Sequence, residues 1–215
     1  LGQPGAIPPT YSSGAPYLLL RKSLNLYGSS FGVRSVLWLQ GETDVRALTD
    51  NWGTDRTITD AANYSNLLQA VIRQSRQDFG KSVPWVIGKT SYFTETNNYG
   101  GPMPGNSNTV RQGQSLAVST AATNGLGQVF TGPDTDVSVP ARRINDVVHF
   151  GRRDPNNPNA PDGLAQAANA WFDNLNSLLA NNSVVPVTVD GTGTLPQLLS
   201  ISDDGTTATA APGYT

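Results

Sequence analysis

The sequence contains no cysteine, and it has only one histidine and one methionine among its 215 residues. The lack of cysteine excludes disulfide bonds, thiolate nucleophiles and zinc sites built on thiolates. Any catalysis must therefore use hydroxyl nucleophiles, carboxylates or the single imidazole, that of His149. Because no second histidine or cysteine is available to complete a metal site, we expect no bound metal.

Charged residues are scarce as well, at 14% of the chain, with a formal net charge of -2. Such a chain has no basic field to attract nucleic acid or an anionic membrane surface, so neither is an expected partner. The longest apolar stretches, such as 17–20 and 36–39, fall far short of the roughly 20 residues needed to cross a bilayer. The scarcity of charged residues favours a neutral substrate. The low lysine content and the many Asn, Thr, Gly and Ser residues favour a secreted or periplasmic location.

Helical and strand-like patterns alternate along the chain. Apolar residues at helical spacing predict four helices, at 17–27, 64–79, 108–122 and 163–179. Gly28 and Gly80 are the expected stops of the first two helices. Short apolar runs predict three strands, at 33–39, 83–87 and 128–130, the second of them buried on both faces. The predicted buried stripe of the last helix consists of Leu164, Ala168, Trp171, Leu175 and Leu178.

This alternation predicts an α/β fold with a mostly parallel sheet covered by helices on both faces, a three-layer α/β/α domain over residues 1–182. Beyond Asn182 the pattern changes to short β-prone pieces. Residues 183–215 are therefore predicted to form a small β-rich appendage or the start of a separate module.

A polar block directly follows the first predicted strand, where Trp38 is succeeded by Gln40, Gly41 and Glu42. Ligands of parallel α/β sheets gather at the carboxyl ends of strands, so this block is well placed for catalysis. Gln40 can offer an amide N–H, Gly41 lets the backbone approach a ligand closely, and Glu42 can orient or charge-balance a base. The alternative is an ordinary strand-to-loop turn with solvated polar groups.

The second polar block contains the single histidine, with Asp146 three residues before His149. A carboxylate at this spacing can accept the Nδ1–H of the imidazole and leave Nε2 free to take a proton from a hydroxyl nucleophile. Two alternatives remain open at this point. His149 could be a satisfied structural residue, or the Asp-x-x-His pair could bind a metal.

Taken together, the two blocks resemble the SGNH hydrolase superfamily, nearest its branch of sialate O-acetylesterases and acetylxylan-esterase-like enzymes. The block from Trp38 to Glu42 matches a tryptophan-x-glutamine-glycine-glutamate block of that branch. Asp146 and His149 match an aspartate-x-x-histidine block that precedes the final helix. The resemblance covers residues 17–180 and includes a weaker match at Arg111 and Gln114.

The resemblance implies a serine-type ester hydrolase that removes O-acetyl groups from a sugar or polysaccharide, without metal or organic cofactor. His149 would be the base, Asp146 its orienting partner and Gln40 an oxyanion-hole donor. Glu42 would either orient His149 or organise the pocket around it. Gly41 and Arg111 are the candidate substrate contacts, with a structural role for Arg111 as the favoured alternative.

The sequence departs from the family at the nucleophile, which there is a serine in a Gly-Asp-Ser or Gly-Gln-Ser block at the end of the first strand. Here Gly2 and Gln3 are followed by Pro4, and no such block exists. We therefore expect the serine on an N-terminal segment or a separate chain, because a binding module has no need to retain the base and its partners. A nucleophile within the chain would instead be one of four serines, at 12, 13, 29 or 30.

Two other functions remain open. The same fold could serve as a non-catalytic carbohydrate-binding domain that has lost the serine. It could also belong to a lipase or thioesterase of the same superfamily, because the shape of the pocket decides the substrate and the sequence does not show it.

Overall fold

The computed structural model describes residues 15–42, 44–45, 58–91, 108–138, 150–151, 162–181, 198–201 and 208–210. The predicted base His149 and its partner Asp146 lie outside these residues. The helices are α1 (Ala15–Ser23), α2 (Ala61–Phe79), α3 (Asn108–Ser119), α4 (Thr135–Ser138) and α5 (Gly163–Ala180). The strands are β1 (Val36–Trp38), β2 (Trp85–Lys89), β3 (Val129–Asp134), β4 (Leu198–Ile201) and β5 (Ala208–Ala210).

Strands β1, β2 and β3 form one parallel sheet in that order. Val36 pairs with Trp85, and Trp85 in turn pairs with Val129, so the three strands start in register. The sheet and the helices between its strands confirm the predicted α/β class and the predicted parallel pairing. Since parallel strands point the same way, the residues that follow β1, β2 and β3 meet at one edge of the sheet.

The core lies between this sheet and helices α2 and α3. Trp85 and Ile87 of β2 are fully buried there, together with Tyr64, Leu68 and Ile72 of α2. Helix α2 begins at Asp60, whose side chain accepts a hydrogen bond from the backbone N–H of Asn63. It ends at Gly80, which has the left-handed φ of 71°. The prediction for this helix is confirmed, including the glycine stop.

Helix α5 contacts the opposite face of β2. A Cβ on Gly88 would lie 2.8 Å from the indole ring of Trp171, so the absence of a side chain lets α5 approach the sheet. Asn174 of α5 also donates a hydrogen bond to the carbonyl of Thr131 in β3 at 3.1 Å. Residues 85–88 are buried, which confirms the prediction of a strand covered on both faces.

The predicted end of the first helix at Gly28 is wrong. The chain continues from α1 through a π-helical turn (Leu24–Gly28) and a short segment (Ser29–Phe31), and it turns away at Gly32 with a φ of 80°. Gly28 is buried, and a Cβ there would lie 2.6 Å from Val33 and 3.2 Å from Phe79. Close packing rather than helix termination explains this glycine.

The strand predicted at 33–39 is shorter in the structure, where β1 covers only Val36–Trp38. The strand predicted at 128–130 is longer, since β3 extends to Asp134. The helix predicted to reach Ala122 ends at Ser119. The predicted stripe of α5 is also wrong in part. Leu164 is 46% exposed and Ala168 is exposed, whereas Gly163 and Ala167 are buried. At the start of α5 the inward-facing residues are thus Gly163 and Ala167.

Near the end of the chain, β4 and β5 pair antiparallel, with Leu198 opposite Ala210. This pair lies within the segment predicted to be β-rich. None of the helices described here is both long and apolar enough to cross a membrane.

Candidate functional site

Polar side chains follow each of the three parallel strands and meet at the carboxyl edge of the sheet. We call this group the carboxyl-edge cluster. Its members are Gln40, Glu42 and Asp44 after β1, Thr90 and Ser91 after β2, Asp134 and Asp136 at and after the end of β3, and the helix residues Tyr64, Arg111 and Gln114. The cluster lies where ligands of parallel α/β sheets are normally bound.

Gln114 of α3 joins the ends of β1 and β2. Its Nε2 group donates to the carbonyl of Gln40 at 3.0 Å and to the carbonyl of Thr90 at 2.8 Å. Its Oε1 atom accepts from the backbone N–H of Thr90 at 3.1 Å. The side chain is 1% exposed, so these bonds satisfy a fully buried amide. Gln114 therefore sets the spacing of the two strand ends, which is a structural role.

Gly41 lies in the narrowest part of the cluster. A Cβ at this position would be 2.1 Å from the carbonyl oxygen of Thr90, 2.6 Å from Nε2 of Gln114 and 2.9 Å from Val110. The sequence predicts that this glycine admits a ligand. The close approach that the structure shows is instead to other parts of the chain.

Gln40 is held at both its backbone and its side chain. The hydroxyl of Tyr64 donates to the Gln40 carbonyl at 2.9 Å, and Nε2 of Gln40 donates to Oδ2 of Asp44 at 2.8 Å. Burial raises the pKa of Tyr64 well above its usual range, so this hydroxyl keeps its proton. Burial also raises the pKa of Asp44, against the lowering effect of the bond from Gln40.

Glu42 is tied to the end of β2. Its Oε1 atom accepts a hydrogen bond from the hydroxyl of Thr90 at 2.6 Å, and Thr90 is fully buried. The carboxylate is thus fixed by a residue of the neighbouring strand. Both of the roles predicted for Glu42 require such a fixed carboxylate.

Arg111 of α3 binds the two carboxylates that follow β3. It donates to both oxygens of Asp134, at 2.9 and 2.5 Å, and to Oδ2 of Asp136 at 2.9 Å. Asp136 also accepts from the backbone N–H and the hydroxyl of Ser91, at 2.9 and 2.8 Å. Burial tends to lower the pKa of Arg111, but its hydrogen bonds with Asp134 and Asp136 outweigh this and raise the pKa. A guanidinium shared by two carboxylates supports the structural alternative for Arg111.

Replacing Arg111 with alanine should therefore lower the free energy of unfolding by about 3 kcal/mol, because it removes a charged partner from the buried carboxylate of Asp136. The side chain of Asp136 is 0% exposed, so water cannot replace the lost partner. Denaturant unfolding measures the change. Arg73→Ala is the matched control, since Arg73 is exposed on α2. A difference between the two variants of less than about 1 kcal/mol, the range of surface pairs, would contradict this interpretation.

The structure brings together four of the six predicted site residues, Gln40, Gly41, Glu42 and Arg111, at one edge of the sheet. The sequence did not reveal the bonds of Asp134 and Asp136 with Arg111. Sequence reasoning also missed Tyr64, Asp44 and the Thr90–Ser91 pair. Thr90 and Ser91 directly follow a buried strand, and this position in the sequence could have indicated that they belong to the site.

Two of the four alternative serines lie elsewhere. The hydroxyls of Ser29 and Ser30 donate to the carbonyls of Asn25 and Leu26 within their own helical segment. This segment precedes the start of β1, so both serines lie toward the amino ends of the strands. Ser12 and Ser13 fall outside the described residues.

The fold and the cluster define an α/β protein with a parallel sheet and a polar, largely buried group of side chains at its carboxyl edge. Comparisons with protein-family models, with curated proteins and with solved structures found no match to the chain.

Proposed function

We propose that this protein is a serine-type carbohydrate esterase that removes O-acetyl groups from a sugar or polysaccharide. The observation that carries the proposal is the fixed amide of Gln40 at the carboxyl edge of a parallel sheet. Tyr64 and Gln114 hold its backbone, and Asp44 holds one side-chain N–H. The second N–H of Nε2 has no partner within the described part of the chain. Such a donor suits an oxyanion hole, which needs N–H groups fixed before the reaction starts.

In the proposed mechanism, a serine hydroxyl attacks the acetyl carbonyl while Nε2 of His149 accepts its proton, and Asp146 holds the imidazole in the required tautomer. The amide of Gln40 donates a hydrogen bond to the negative oxygen of the tetrahedral intermediate. His149 then returns the proton to the departing sugar hydroxyl. Water hydrolyses the acetyl-serine in a second step with the same groups.

In this proposal, neither Thr90 nor Ser91 of the carboxyl-edge cluster is the nucleophile. Thr90 and Ser91 are fully buried, and their hydroxyls donate to the carboxylates of Glu42 and Asp136. Ser29 and Ser30 lie toward the other edge of the sheet. These placements support the proposal that the serine comes from an N-terminal segment or a separate chain.

We extend the proposal to the SGNH-like three-layer arrangement and to a secreted or periplasmic location. The close approach of Trp171 in α5 to Gly88 supports the former, because α2 and α3 pack against the side of β2 that carries Trp85 and Ile87. A neutral sugar is the proposed substrate, since the formal net charge is -2 and Arg111, the candidate cation, is already shared by Asp134 and Asp136.

The test uses the catalytically complete protein, which we define as this chain together with the serine-bearing segment. Gln40→Met keeps the length of the side chain but removes both N–H groups, so it should lower kcat by about 100- to 1000-fold with little change in KM. An aryl acetate and an acetylated oligosaccharide are the substrates.

Gln77→Met is the matched control, since Gln77 is exposed on α2. Wild-type kcat in Gln40→Met would refute the role of the amide. Sugar binding without any hydrolysis by the complete protein would favour the non-catalytic binding domain.

A further inference from the structure

Asp44 lies beside Gln40, four residues further along the chain, and no sequence motif indicated a role for it. It is 8% exposed, and its Oδ2 atom accepts from Nε2 of Gln40 at 2.8 Å. The other end of the same amide, Oε1, lies 3.4 Å from the hydroxyl of Tyr64. The amide of Gln40 therefore has a carboxylate at its donor end and a hydroxyl near its acceptor end.

We propose that Asp44 is a positioning residue that fixes the orientation of the Gln40 amide, so that the second N–H of Nε2 rather than Oε1 is presented to the substrate. This inference rests on the proposed function, in which that N–H binds the oxyanion. A carboxylate accepts hydrogen bonds only, so it excludes the flipped amide, which would set Oε1 against Oδ2. The flipped amide would also present an acceptor to the negative oxygen of the intermediate.

The surroundings of Asp44 agree with a positioning role. Burial raises the pKa of Asp44 despite the hydrogen bond that its carboxylate accepts from Gln40. Among the described residues, the titratable groups acting on Asp44 are Glu42 from the same turn and Tyr64 from α2. The same turn is closed by a backbone bond from Val45 to the carbonyl of Gly41, so Asp44 is held in place without its side chain.

The first experiment follows the side-chain amide of Gln40 by ¹⁵N NMR across a pH titration of the 215-residue chain, with the signal identified by its loss in Gln40→Met. We expect the signal to shift in one step whose midpoint lies above about 3.9, the ordinary pKa of aspartate. Asp44→Asn should abolish the step. Asp173→Asn, at an exposed position of α5, should leave it unchanged. Absence of the step in wild type, or its persistence in Asp44→Asn, would overturn the proposal.

The second experiment measures kcat and KM in the catalytically complete protein. Asp44→Ala should lower kcat by no more than Gln40→Met does, and the double variant should be no slower than Gln40→Met alone, because Asp44 acts only through the Gln40 amide. Asp44→Asn retains an acceptor and should recover part of the rate. Additive losses would mean that Asp44 acts independently of Gln40, and the proposal would fail.

The two experiments separate this inference from the function on which it rests. If the NMR step is present but the complete protein hydrolyses no ester, the proposed function fails and Asp44 still orients the amide. If the protein is an esterase but the step is absent, only the inference fails. Should Asp44→Ala not fold, the wild-type titration and Asp44→Asn still decide the matter.

Discussion

Replacing His149 with alanine in the catalytically complete protein should lower kcat on an acetylated sugar by on the order of a millionfold, the usual cost of removing a triad base. His149 is the only histidine among the 215 residues, so no other imidazole of this chain can take over its role. Without the base, the serine hydroxyl keeps its proton, and only substrate binding and the oxyanion hole still accelerate the reaction. Steady-state kinetics with an aryl acetate and then an acetylated sugar measure the loss.

Added imidazole provides the control, since a small base that enters the vacated space should restore part of the rate without altering the fold. The kcat/KM of the wild-type protein should also rise with pH as the base loses its proton. His149→Ala with more than a tenth of the wild-type kcat would show that this histidine is structural.

The same assay decides which carboxylate orients the histidine. If Asp146 does so, Asp146→Asn should cost about 10,000-fold in kcat, because the wrong tautomer is then favoured. Glu42→Gln should cost much less, since the glutamine can still accept the hydrogen bond from Thr90. The reverse order of effects would assign the orienting role to Glu42.

Replacing Gly41 with alanine should lower the free energy of unfolding by about 4 kcal/mol or more, at the upper end of what a single substitution does. The added Cβ would lie 2.1 Å from the backbone oxygen of Thr90, which the neighbouring strand holds in place. The other close atoms belong to Gln114 and Val110, both almost fully buried. Relief therefore requires the ends of β1 and β2 to move apart. Chemical denaturation monitored by tryptophan fluorescence measures the change.

Gly127→Ala is the matched control. A Cβ on Gly127 would meet no atom within 4 Å, and its φ does not lie in the left-handed region. This substitution should change the stability by less than about 1 kcal/mol in either direction. If Gly41→Ala is as mild as Gly127→Ala, the strand ends are not as tightly packed as the structure indicates.

The sequence by itself was enough to predict the main helices and strands and the parallel pairing of β1, β2 and β3. The apolar spacing of α2 and its Gly80 stop, and the fully apolar run around Trp85, could be interpreted without tertiary information because each depends on residues close in the chain. The position of Gln40, Gly41 and Glu42 after a strand also followed, since parallel strands bring their carboxyl ends to one edge.

Only the tertiary structure decided what those residues contact. Gly41 has no room for a side chain because Thr90, Gln114 and Val110, all distant in sequence, approach it, and no local pattern shows this. Arg111 is shared by Asp134 and Asp136, more than 20 residues away, so the sequence could not reveal that its charge is already neutralised. At the start of α5 the residues that face inward are Gly163 and Ala167 rather than the predicted Leu164 and Ala168. Packing between distant segments exists only in the folded chain. At Gly41, at Arg111 and at the start of α5, these tertiary contacts decide what each residue does, and the local sequence pattern does not.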